Sequence, residues 1–148
     1  MNKSAFSVTT QLLRAHASIQ ERLNHSISAV HGISLQELLL LMYLQSEPGA
    51  RLSRVELARR MHVSASTVTR QLAPLEKRGI IGRESDARDA RLSYVVLTPA
   101  GEELVHDGRR SLRQSSAGFF QDRWNSDEVN TLSELLARLT VNLPGRLE

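Results

Sequence analysis

A chain of 148 residues, 41% hydrophobic and 24% charged, fits one ordinary globular domain with a core of its own. It has no cysteine, which removes disulfides, thiolate metal sites and thiol redox chemistry. The net charge is only +3, yet residues 51–91 carry ten basic side chains against five acidic ones, and the other 107 residues sum to −2.

Residues 5–30 place Leu12, His16, Ile19, Leu23, Ile27 and Val30 at steps of three and four, which predicts a long amphipathic helix. Ser34-Leu35-Gln36-Glu37 reads as a capping box opening a Leu-rich helix buried on most sides. Glu47-Pro48-Gly49 ends it with turn chemistry. Ser53-Arg54-Val55-Glu56 is a second capping box, starting a short helix to about Met61. After His62-Val63, Ser64 caps a helix running to about Arg78, where Gly79 stops it. Residues 80–84 and 92–97 read as two strands of a hairpin joined by a polar, charged loop. Thr98-Pro99 begins a helix carrying Leu104, Gly108, Leu112, Ser115 and Phe119. A last helix starts near Ser126 and carries Val129, Leu132, Leu135, Leu136, Leu139 and Leu143. Residues 1–20 lack an apolar signal core, and the run Leu38–Leu44 is too short to span a bilayer, so a cytoplasmic chain is expected.

This order predicts a mainly α fold with a small β-hairpin wing. A winged helix-turn-helix lobe over 34–99 would be flanked by a dimerisation helix over 1–33 and dimerisation helices over 100–148. The first and last helices have apolar stripes with nothing in the lobe to bury them. The economical expectation is that they pack together and against a second copy of the chain.

In the helix after Ser64, the residues Val68, Leu72 and Leu75 share a face that anchors it. The opposite face carries Ser66, Arg70, Ala73 and Lys77, flanked by Thr67 and Thr69. Short hydroxyls near a helix N-terminus followed by a long Arg suit insertion into the major groove, where Arg can reach guanine O6 and N7. The other reading is a surface helix with Ser and Thr as caps. The loop Ser85-Asp86-Ala87-Arg88-Asp89-Ala90-Arg91 also reads two ways. It is a set of surface ion pairs, or a hairpin tip whose Arg enters the minor groove while an Asp holds it. Its place directly after the helix favours the second. Pro74, inside the helix, removes an amide donor and is expected to kink it.

The stretch from Glu56-Leu57-Ala58 through Ser66-Thr67-Val68-Thr69-Arg70 and Leu75-Glu76-Lys77-Arg78-Gly79-Ile80-Ile81 resembles the MarR family of bacterial regulators. The wing Asp86-Ala87-Arg88-Asp89-Ala90-Arg91 and Val96-Leu97-Thr98-Pro99-Ala100-Gly101 continue the likeness, which covers roughly residues 34–101. The resemblance implies a homodimer with intertwined terminal helices, whose two winged lobes bind a pseudo-palindromic operator in double-stranded DNA. It also implies repression relieved by a small aromatic or amphipathic ligand held between lobe and dimer helices. Carried over by position, the DNA contacts are Ser66, Thr67, Thr69 and Arg70 on the helix and Arg88 and Arg91 on the wing. The helix cap Ser64, Lys77 on the outward face and Asp89 beside the wing arginines complete the expected DNA-binding set.

The five His residues form no zincin, triad or phosphate-loop pattern, so no catalytic residue, metal site or cofactor is expected. His16, on an apolar stripe, reads as a packed core residue. Its alternative role is to line an effector site with Tyr43, where helices 5–30 and 34–46 meet the lobe. His62 reads as a solvent or phosphate contact. The rival functions are a winged-helix protein-interaction module and a metal-sensing regulator. The first has no need of five excess positive charges in helix and wing. The second would need convergent His, Glu or Asp ligands.

Overall fold

A computed structural model describes residues 4–148. The chain forms α1 (Ala5–His31), α2 (Leu35–Gln45), β1 (Arg51–Ser53), α3 (Arg54–Met61), α4 (Ala65–Lys77), β2 (Ile81–Ser85), β3 (Ser93–Leu97), α5 (Pro99–Ala117) and α6 (Ser126–Leu139). Each helix start is capped by a side chain that accepts an otherwise orphaned backbone N–H. Ser34 Oγ accepts from Glu37 N at 3.0 Å while Glu37 Oε2 accepts from Ser34 N at 2.8 Å. The second predicted box closes only by half. Ser53 Oγ accepts from Glu56 N, but the Glu56 carboxylate turns to Arg59 and Arg60, because two guanidiniums offer stronger donors than one amide.

The core is built around α2. Leu35, Leu38, Leu40, Leu41, Met42 and Leu44 are all buried, which accounts for a helix apolar on nearly every side. Leu57, Val68, Leu72 and Leu75 bring α3 and α4 onto the same core, with Leu52, Ile81, Val95 and Leu97 from the sheet. Asn24 Oδ1 accepts from Leu35 N at 2.8 Å and fixes the corner where α1 and α2 meet at 80°.

Three strands are present where two were expected, in the antiparallel order β1-β3-β2. Leu52 lies opposite Val95 and Gly82 opposite Val96. β1 has three residues and one buried side chain, too short for an alternating pattern to show in the sequence. Pro74 does not divide α4, which runs as one helix from Ala65 to Lys77. Its missing N–H leaves the Arg70 carbonyl without a helical donor on the exposed side, where water can supply one.

α5 lies across α2 at Gly108. A Cβ added there would sit 2.5 Å from Leu38 Cδ1, so the close approach of the two helices needs glycine. Within the chain α1 packs on α5 and, at the corner, on α2. Ser26 and Ser115 share a 2.9 Å hydrogen bond, His31 Nε2 and Ser111 Oγ one of 2.8 Å, and Arg22 stacks 4.3 Å over Phe119 just past the end of α5. α6 ends at Leu139, before Leu143, and none of its residues is buried. No single helix among the described residues is long and apolar enough to cross a membrane.

Candidate nucleic-acid interface

α4 carries its apolar residues inward, as their spacing requires. Val68, Leu72 and Leu75 are buried, while Ser66, Thr69, Arg70, Ala73 and Lys77 are exposed and Thr67 is half-buried. Ser64 caps the helix by accepting from Thr67 N at 3.2 Å, and its hydroxyl lies 3.0 Å from those of both Ser66 and Thr67. Arg70 Nη2 donates to Thr67 Oγ1 at 3.2 Å, so the long side chain leans back toward the helix start. The exposed end is therefore a patch of hydroxyls and free helix amides with one guanidinium beside it. Such a patch accommodates phosphate and can reach guanine.

The wing is folded by Asp86. Its Oδ1 accepts from the backbone N–H of Arg88 at 2.7 Å and of Asp89 at 3.1 Å, and its Oδ2 accepts from the Tyr94 hydroxyl at 3.1 Å. The two backbone donors, with smaller help from Tyr94 and Arg51, hold the Asp86 carboxyl below the usual carboxylate range. Asp89 grips Arg91 with both oxygens, Nε to Oδ1 at 3.1 Å and Nη2 to Oδ2 at 3.2 Å. That grip, together with the Arg91 backbone N–H, lowers the Asp89 carboxyl as well. Arg91 is 91% exposed yet oriented. Arg88 is exposed and has no acidic partner among the described residues.

Of the ten basic residues in the 51–91 segment, Arg51, Arg59, Arg60, Arg83 and Arg91 pair with carboxylates. Among the described residues Arg54, Arg70, Lys77, Arg78 and Arg88 do not, so the unpaired cations lie at the start of α3, on α4 and its C-cap, and on the wing. Sequence reading missed three contributors: Asp86, Tyr94 and Arg51. Arg51 stacks 4.6 Å over the Tyr94 ring and pairs with Glu84 at 3.0 Å, tying β1 to the wing. An Asp opening a short loop is an Asx-turn signal, which could have singled out Asp86.

The structure does not bring His16 and Tyr43 together. His16 is exposed in the single chain and is not a core residue. It lies fifteen residues before His31, about 22 Å of helix from the α1–α2 corner. Tyr43 lies near the far end of α2, half-buried against Gly145 and Arg60. No cluster of three or more His, Asp or Glu side chains among the described residues could hold a metal.

A three-helix lobe with a capped, hydroxyl-rich helix beside an arginine-tipped hairpin defines a winged helix-turn-helix DNA-binding protein. The MarR family model matches residues 33–93. An HTH-type transcriptional regulator of Bacillus subtilis, YxaD, is 32% identical over 101 residues, covering 68% of each chain. Among solved structures, Sco3205, a MarR family transcriptional regulator from Streptomyces coelicolor in complex with DNA, superposes with a TM-score of 0.81 at 23% identity, covering 97% of this chain and 94% of that one. Bordetella bronchiseptica BpsR, whose DNA binding is regulated by 6-hydroxynicotinic acid, gives 0.77 at 22% identity, covering 90% and 98%. The chain belongs to the MarR family. It is a DNA-binding transcriptional regulator and not an enzyme.

Proposed function

We propose that this regulator works in the cytoplasm as a homodimer, represses by occupying a pseudo-palindromic operator, and is released by a small aromatic or amphipathic ligand. The observation that carries the DNA reading is the pairing of an outward hydroxyl-and-arginine face on α4 with a wing whose Arg91 is already oriented. In this reading Ser64, Ser66, Thr67, Thr69, Arg70 and Lys77 meet the major groove and its phosphates. Arg88 and Arg91 meet the minor groove, with Asp89 as the brace.

Surface area supports the dimer. The chain exposes 10386 Å², whereas a compact monomer of 16.5 kDa exposes about 7,500 Å². Part of the exposed apolar surface lies on α1 and α6, where Phe6, Leu13, Leu135 and Leu139 are all half or more exposed. Patches of that size on a soluble protein mark an interface. Residues 1–33 and 100–148 then form the dimer platform, and 34–99 the reading lobe.

The ligand site that the geometry supports is a half-open groove of about 720 Å³ between α2 and α5. Leu39, Met42, Leu112 and Phe120 line it, with Arg109 and Arg113 supplying polar donors, a mixture suited to an amphipathic anion. BpsR, whose DNA binding a small pyridine carboxylate regulates, supports ligand control in a protein of this fold. Selecting duplexes from a random pool and footprinting the winner tests the DNA reading. Two half-sites spaced by about one helical turn, 34–36 Å, are expected. A pool that returns no enriched sequence would refute the operator model.

A further inference from the structure

Beyond α6 the chain folds back onto the lobe. Leu147 packs against the core cluster, and its carbonyl accepts a 2.6 Å hydrogen bond from Arg109 Nη1. The same guanidinium donates through Nε to Gln45 Oε1 at 3.0 Å. One α5 side chain therefore holds both the end of α2 and the returning segment. Gly145 has φ +82, and a Cβ there would come within 3.0 Å of the Tyr43 ring and of Arg60 Cδ. Arg60 belongs to α3 and is fixed by Glu47 at 2.6 Å and Glu56 at 3.1 Å. Residues 143–148 thus bridge α2, α3 and α5, joining the first helix of the helix-turn-helix to the helix that leads into α6.

We propose that residues 143–148 are a strap that closes one wall of the α2–α5 groove and competes with a ligand for Arg109, and that the docked strap holds the lobe in its DNA-competent orientation. Leu147 and Glu148 contribute to the groove wall beside Leu39, Met42 and Phe120. The strap therefore offers the groove an apolar side chain and an adjacent acceptor on Arg109, the same two features an amphipathic effector would present. The inference rests on reading this groove as the effector site, and it adds a mechanism: the effector displaces the strap. Displacement removes the Arg109 bond and the Gly145 contact with Tyr43 and Arg60, so α3 loses its tie to α5. A ligand that binds the strap-free groove more tightly shifts the population by its differential affinity for the two states. The lobes, no longer held at the spacing of two half-sites, then bind DNA more weakly.

Two variants of the full chain test this. Gly145→Val blocks docking by overlap with Tyr43 and Arg60, and Leu147→Asp does so by placing a charge in an apolar wall. The probes are the amphipathic anion 1-anilinonaphthalene-8-sulfonate, read by fluorescence titration, and the selected duplex, read by anisotropy. Dimer mass and melting temperature serve as controls for folding. Both variants are expected to keep dimer mass, because Gly145 and Leu147 contact α2, α3 and α5 of their own chain. They should melt cooperatively at a lower temperature for want of those contacts, bind the dye at least about fivefold more tightly, and bind DNA about fivefold more weakly. Unchanged dye affinity in a folded variant would show that the strap does not compete for the groove. Tightened dye binding with unchanged DNA affinity would show that strap docking is uncoupled from the lobe. Either overturns the proposal. Failure of the effector reading shows separately: wild-type protein that no small amphipathic anion releases from DNA, while both variants behave as expected, loses the effector and keeps the strap.

Discussion

Replacing Leu139 by Asp should break the dimer while leaving each lobe folded. Leu139 is 68% exposed in the single chain and lies on a helix that buries nothing of its own. Full burial of a leucine side chain contributes about 1.5–3 kcal/mol, so the exposed part of Leu139 offers a partner about 1–2 kcal/mol. A two-fold interface uses each residue twice, giving about 2–4 kcal/mol for the pair. That corresponds to a dimer constant weakened about 30- to 700-fold. An unpaired carboxylate in the interface adds to the loss. Sedimentation velocity over a dilution series from micromolar to nanomolar concentration measures the constant. Circular dichroism melting checks that the lobe survives, since its core residues lie elsewhere. DNA binding should fall in parallel, because one lobe alone covers one half-site. An unchanged dimer constant would mean that α6 is not part of the interface, and the dimer platform would have to be redrawn on α1 and α5.

Arg70→Ala should cost about 1–3 kcal/mol and relax preference at one base of each half-site. An equal loss on every sequence would reduce Arg70 to a phosphate clamp. The depressed Asp86 and Asp89 carboxyls set the pH behaviour of the wing. A carboxylate whose folded pKa is lowered contributes above its unfolded pKa and loses that contribution as pH falls through the folded one. The wing should therefore hold its geometry from pH 8 to pH 5 and lose it only at pH values below the usual carboxylate range. The Arg91 Nε–H resonance, followed by NMR through that range, reports the change, and a transition near pH 6 would contradict it. His62 closes α3 at φ 54, a left-handed conformation that a side chain disfavours. His62→Gly should stabilise the fold by about 0.5–1 kcal/mol in thermal melts, and a loss would show that the imidazole makes a contact that outweighs the strain.

The parts of the fold legible in the sequence are those decided by neighbours in the chain. Ser34 with Glu37, Ser64 three residues before Thr67, and Thr98 before Pro99 all sit where their caps form, because a cap needs only the next three residues. The inward face of α4 follows from Val68, Leu72 and Leu75 at helical spacing, and the outward face is what remains. The recognition-type helix and the wing could be placed on the same grounds. What escaped depends on pairing at a distance. β1 exists because Leu52 meets Val95 across more than forty residues, and three residues hold no period to announce it. Asp86 was passed over because its partners are two backbone amides and Tyr94, none of which a charge pattern displays. His16 shows the same limit from the other side. An apolar stripe says that a face is covered, and it does not say by what. On α1 the covering residues within the chain belong to α5 and α2, and they cover chiefly the C-terminal half, around Ile27 and His31. The N-terminal half is left open by the described residues, with Leu13 64% exposed and His16 exposed beside it. α6 has the same unmet stripe at the other end of the sequence. Two such surfaces on one small regulator are what the proposed second copy of the chain would cover, since its own α1 and α6 have the same unmet requirement.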